Sequence, residues 1–230
     1  MNKSIFLQRP HEGDLDHYLS HLKERNTATT NAKIVEKLKV LHRKIYYLNL
    51  LSQSLNMVAK EKRYLNEIVT DLILCMDLFS LNYMKPTRMG LRAAIEEFNR
   101  LLLVKVKEEV KNLGVYKLNE KVKEKFKEDN HIHGKISQLL SDYKQLCDFT
   151  HVSDNNNFTN KLVLDDFKFI DRSELNHISN QIVRVVENMI FIIICQYKSS
   201  FLQLNKHQQA FIIDQLKETY QSEIEYVLDE

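Results

Sequence analysis

Turn-forming residues are scarce in this chain: 230 residues hold four glycines and two prolines, where average usage gives roughly 28 between them. Such a chain cannot make many tight turns, which argues against β-sandwiches and barrels. It argues equally against α/β folds that follow a strand with a glycine-rich phosphate loop. Cysteine is also sparse. Cys75, Cys147 and Cys195 lie far apart without CxxC pairing, an odd number that suggests reduced thiols and a cytoplasmic home. Long apolar runs are missing too. The N-terminal MNKSIFLQRPHEG has no signal-peptide core, and the most apolar run, Met189 to Cys195, is seven residues, where about 18 are needed to suggest a span. No membrane role is expected.

Net charge is weak as well, 33 basic against 31 acidic residues for a formal +2. Its distribution is uneven. Residues 33–63 hold eight Lys/Arg and two Glu, whereas 206–230 hold two Lys and six acids. A basic stretch can attract phosphate backbones, although most such runs are solvated helix faces.

What the chain does have is helical periodicity. Ile34, Leu38, Leu41, Ile45, Leu48 and Leu55 recur at three- and four-residue steps, and Leu65, Ile68, Leu72, Met76 and Phe79 continue the pattern. One very long helix, or two joined near Ser52–Asn56, is expected there. Asp14 is expected to cap a short helix over 15–25. Pro86 opens a helix over 88–112 with Gly114 as its C′ residue. Further helices are expected over 115–128 (alternatively an ordered lid), 132–151, about 171–204 and 206–228. The stretch 152–172 reads as the one long connection, with a brief extended segment at 163–170. The fold expected is an all-α, up-and-down bundle of four or more long helices with extra N- and C-terminal helices. Residues 1–54 read as an N-terminal helical arm ahead of a bundle over 55–230, with no boundary clean enough to split the chain into two domains.

Two stretches could carry chemistry. In LRAAIEEFNRLLL, residues 91–103, Arg92 and Glu96 are four apart and share a helix face at the edge of the buried stripe. The pair is either a structural bridge or an arginine held so that its guanidinium meets a phosphate or carboxylate. In DYKQLCDFTHVS, residues 142–153, Tyr143, Cys147 and Thr150 share a face, and His151 closes the helix. That histidine is either a cap favoured by the helix dipole or a general acid/base working near neutrality. His131 and His133 have no Cys or acidic cluster to complete a metal site. No phosphate loop, nucleophile elbow or HExxH helix is present.

In order, an acid-bearing helix with Asp71 near its end leads through a Lys-Pro turn to the LR-x-x-x-E helix. About 40 residues later comes Tyr143-x-x-Leu-Cys-x-x-x-His151, then a polar loop and a long apolar helix. This arrangement resembles the HEPN-like helical proteins of bacterial abortive-infection, toxin–antitoxin and phage-defence systems, over about residues 55–205. The resemblance implies a helical bundle, often a homodimer, and in many members a metal-independent ribonuclease without cofactors. There a histidine moves a proton, an arginine stabilises the phosphorane charge, and the ribose 2′-OH is the nucleophile. The family signature sets an arginine four to six residues before the histidine. Lys144, with six intervening residues before His151, takes that place here, Asp148 is the nearer polar residue, and both are candidate substrate-binding residues. Lysine lacks the bidentate fork, so Arg92, oriented by Glu96, is the candidate guanidinium beside Tyr143 and His151. The expected function is an RNA-cleaving, toxin-type effector. The alternative is a non-catalytic protein that dimerises or docks onto an antitoxin or other defence partner, favoured by the apolar stripe over 34–55.

Overall fold

Every element in the computed structural model, which describes residues 10–25, 32–104, 110–150 and 171–229, is helical. In chain order they are α1 (Pro10–Arg25), α2 (Ala32–Ser54), α3 (Ala59–Ser80), α4 (Met84–Leu103), α5 (Val115–Lys125), α6 (His133–Thr150), α7 (Arg172–Gln196), α8 (Lys198–Phe201), α9 (Lys206–Ile213) and α10 (Glu218–Asp229). The fold is an all-α bundle, as the scarcity of glycine and proline and the helical periodicity predict.

The five longest core helices close a ring. α2 packs on α3 and α7, α3 on α4, α4 on α6, and α6 back on α7. α5 covers α4 and α6, while α10 lies on α7 and α1 on α2. The stripe of Ile34, Leu38, Leu41, Ile45 and Leu48 lies on α2, with Leu55 just past its end. All six side chains are buried, in one cluster with Leu65, Ile68, Phe98, Leu139 and Phe191. Its partner helices are therefore α3 and α7 of the same chain. Each such large apolar side chain contributes about 1.5–3 kcal/mol on burial.

α7 is the central strut. It is long and apolar enough to cross a membrane, but 78% of its most apolar window is buried inside the bundle. Asp171 caps it, accepting from the amides of Ser173 at 2.8 Å and Glu174 at 3.3 Å, which satisfies two of the orphan N–H groups of the first turn.

The α3–α4 hairpin is set by local chemistry. Asn82 sits at φ 60, the Asn82 amide donates to the Phe79 carbonyl, and the Tyr83 amide donates to Leu78. This is a Schellman ending with asparagine, the residue after glycine that best tolerates a left-handed backbone. The hairpin then brings α4 so close to α3 that a Cβ on Gly90 would lie 2.8 Å from the Cys75 sulfur. Cys75 is fully buried and cannot swing away. Gly90→Val is expected to lower stability by about 1–3 kcal/mol, and Cys75→Ala to restore much of it. Denaturant melts of the single and double variants check this.

Several boundaries differ from expectation. Asp14 lies inside α1, and its carboxylate meets the His42 imidazole instead of capping. The helix expected over 88–112 ends at Leu103, with a 3-10 turn at Val110–Asn112. Gly114, at φ −62 and ψ 150, is not a left-handed C′ residue. It is the N-cap of α5, its carbonyl accepting from the Leu118 amide. The long C-terminal apolar helix stops at Gln196, and α8 carries Phe201 into the core. The last segment is two helices, the break covered by Gln221 donating to the Leu216 carbonyl. The connection expected over 152–172 lies, up to 170, outside the described residues, as does the extended segment at 163–170.

Candidate functional site

Three of the residues singled out in the sequence meet where α4 crosses α6. Glu96 Oε1 accepts from Arg92 Nε at 3.3 Å and from the Tyr143 hydroxyl at 2.8 Å. The Arg92 and Glu96 side chains are partly buried. Burial first, then the hydrogen bonds to Glu96 and Cys147, push the Tyr143 hydroxyl above its ordinary range. Tyr143 thus stays protonated and serves as a donor, not as a base. Lys144 and Asp148 stand at exposed positions of α6. His151 lies outside the described residues.

A separate set of carboxylates lies where α3 meets α4. Asp71 on α3 is shifted up by burial, then by Glu67 and Glu97. Glu97 is shifted up chiefly by burial, with Glu67 and Glu96 adding to it against Arg100. The i, i+4 spacing showed the Arg92–Glu96 pair but not the carboxylates that α3 brings up to Glu97. Since both groups hold a proton to higher pH when folded, ionising them at pH 7 opposes folding. Asp71→Asn is expected to raise the thermal midpoint at pH 7. The gain should shrink as pH falls through the raised folded value to below about 4, where the wild type is also neutral. Paired melts at the two pH values check this.

A second cluster joins α4, α6 and α7, and here the sequence reading missed residues. Arg88, 7% exposed, bridges to Glu174 at 3.0 Å, and its guanidinium lies 4.1 Å over the Phe149 ring. The Phe149 ring in turn faces His177, centroids 6.3 Å apart. Glu174 and His177 lie in the first two turns of α7, behind the Asp171 cap. Arg172 and His177 are both exposed. Thus one buried guanidinium ties the end of α6 to the start of α7, and an arginine and a histidine are displayed on the first two turns of that pinned helix. The signal is in the sequence: Arg172-Ser-Glu-Leu-Asn-His177 sets an arginine five residues before a histidine on one helix. The apolar periodicity that marks α7 as a core helix draws the eye past it. Arg88–Glu174, 86 positions apart in the chain, leaves no local signal.

A third polar cluster is structural. Asp142, fully buried, receives Arg184 through both Nε at 3.0 Å and Nη2 at 2.5 Å, with Gln181 at 3.2 Å. Buried Glu187 is held by Lys44 at 2.8 Å and faces Lys217 at 3.4 Å. Among the described residues no group of three or more His, Cys, Asp or Glu is placed to hold a metal ion. The sequence matches no family model, and neither the curated proteins nor the solved structures show a similar chain.

Proposed function

We propose that this chain is an HEPN-like, metal-independent endoribonuclease acting as a toxin-type effector of bacterial defence. Its working site is the start of α7 instead of the Arg92 face. The observation that carries this reading is the exposed Arg172 and His177 pair on a turn locked by Asp171 and by the buried Arg88–Glu174 bridge. Preorganised groups of this kind need little rearrangement when charge develops. His177 takes the proton from a ribose 2′-OH, the oxygen attacks the adjacent phosphorus, and the P–O5′ bond breaks as the 5′-oxygen takes a proton from solvent water. Arg172 faces the extra negative charge of the phosphorane with a donor fork suited to phosphate oxygens. An imidazole is the side chain best matched to this transfer near neutral pH. His151 remains the second candidate imidazole, two residues beyond Phe149 in the chain. Arg88 and Glu174 are positioning residues. The proposal includes a cytoplasmic location, a homodimer, and control by an antitoxin or other defence-system protein.

The test is cleavage of single-stranded RNA by the purified chain in chelator. A 2′,3′-cyclic phosphate product is expected, with no cleavage of the 2′-O-methyl substrate. A chain that never cuts RNA and is harmless when induced in bacteria rules the reading out.

The rival reading, a non-catalytic dimerisation or partner-binding protein, is favoured by one observation. Arg92, Glu96 and Tyr143 satisfy one another within the chain, as a structural network does. The stripe over 34–55 no longer supports it, being covered by α3 and α7. Sizing of the wild type with and without residues 1–25, which leaves the core helix α2 in place, separates a dimer built on α1 from one built elsewhere.

A further inference from the structure

The outer face of the α3–α4 hairpin carries apolar and acidic side chains together. Gly90 on α4 lies against Cys75 and the Asp71 carbonyl on α3. The helices run antiparallel from the tight turn at Asn82. Leu74 and Met89, each one residue before that contact, therefore emerge side by side toward solvent, 53% and 54% exposed. On α3 the same stripe continues three and seven residues back from Leu74, to Asp71 and Glu67. Glu97 of α4 stands at that end too: burial first, then the charges of Glu67 and Glu97, hold the Asp71 carboxyl above its ordinary range. The patch has an apolar centre and a negative end.

The same chain displays the complement. Val40 on α2 is 45% exposed, and three and seven residues before it come Lys37, partly exposed, and Lys33, exposed. Glu36, the one acid of α2, is paired with Lys39 at 2.7 Å on the flank of this stripe. The two patterns share a register. Laid parallel to α3, the α2 helix of another copy sets Val40 against Leu74 and Met89, Lys37 at Asp71 and Lys33 at Glu67. On both helices those steps are about 4.5 and 10.5 Å.

We propose that the outer α3–α4 face docks a second copy of this chain through the face of that copy's α2 that bears Lys33, Lys37 and Val40. Three half-exposed apolar side chains leave water in the contact. The lysines offset carboxylates that otherwise repel one another. The two faces are different patches of one chain, so the contact is head-to-tail, unlike a two-fold dimer, and it propagates unless a ring closes. One helix against two makes a small interface of the weak, transient kind, so assembly belongs to the micromolar range. Nothing in it depends on the ribonuclease reading.

The experiment is sedimentation velocity of the full chain between about 5 and 200 µM, at about 50 mM and about 500 mM salt. At low salt the average mass should climb with concentration, and high salt should return it toward the smallest species. Leu74→Glu and Val40→Glu should each stop the climb. Both positions are half exposed, so the thermal midpoints should hold. Mixing the two variants should restore association, because each keeps the face that the other lacks. Glu67→Lys, at an exposed position, leaves the apolar pair intact and should weaken assembly about tenfold. A wild type of fixed dimeric mass at every concentration supports the homodimer and overturns this contact. So does assembly of either glutamate variant like that of the wild type, or failure of the mixed variants to associate.

Discussion

His177→Ala is expected to reduce RNA cleavage by a factor of roughly 10² to 10⁴, the range for loss of a general acid/base. The thermal midpoint should be nearly unchanged. The side chain is exposed on α7 and its ring lies tilted against Phe149, centroids 6.3 Å apart, so little packing is lost. Arg172→Ala should cost about 10² to 10³ in rate, as for removal of one donor to a developing oxyanion. Arg172→Lys should restore only part of this, because an ammonium lacks the planar fork. Arg92→Ala is the contrast: the partly buried bridge to Glu96 is worth about 1 kcal/mol or less, and cleavage should survive. His151→Ala belongs in the same series. If it abolishes cleavage while His177→Ala does not, the reacting imidazole is at the end of α6 and the assignment to α7 is wrong.

Arg184→Met should produce the largest stability loss, about 3–5 kcal/mol. The cause is the partner left behind. Asp142 has no exposed surface, and without the bidentate guanidinium its carboxylate keeps, among the described residues, the Gln181 amide and a marginal contact with Gln138 at 3.5 Å. In a chain of this size that corresponds to a fall in midpoint on the order of 10 °C. Adding Asp142→Leu should return most of the loss, since replacing both members of a buried pair by apolar groups is often close to neutral. Chemical denaturation of the two singles and the double closes the cycle. A single-variant loss below about 1 kcal/mol would show that water or a rearranged side chain takes over the carboxylate.

The helices were legible wherever burial repeats with helical period. Ile34 to Leu55 and Leu65 to Phe79 read correctly because the same face meets the core turn after turn. Helix ends were less legible, since they depend on what the last turn packs against. Gly114 is the instructive case: a glycine after a helix invites the left-handed C′ reading, yet here it begins α5 with an extended backbone. The site divides in the same way. Arg92 and Glu96 follow from spacing on one helix, whereas Tyr143 reaches Glu96 only because α6 crosses α4. Arg88 and Glu174 could be joined by nothing short of the fold. Arg172 and His177 were readable in principle and obscured by the strength of the apolar pattern that follows them.

The double grip of Arg88 also makes one residue answerable for two helix ends. Phe149, in the last turn of α6, and Glu174, in the first turn of α7, are fastened to the same guanidinium. Loss of that group should therefore free both ends together, so hydrogen exchange in the last turn of α6 and the first turn of α7 should rise in step in Arg88→Met.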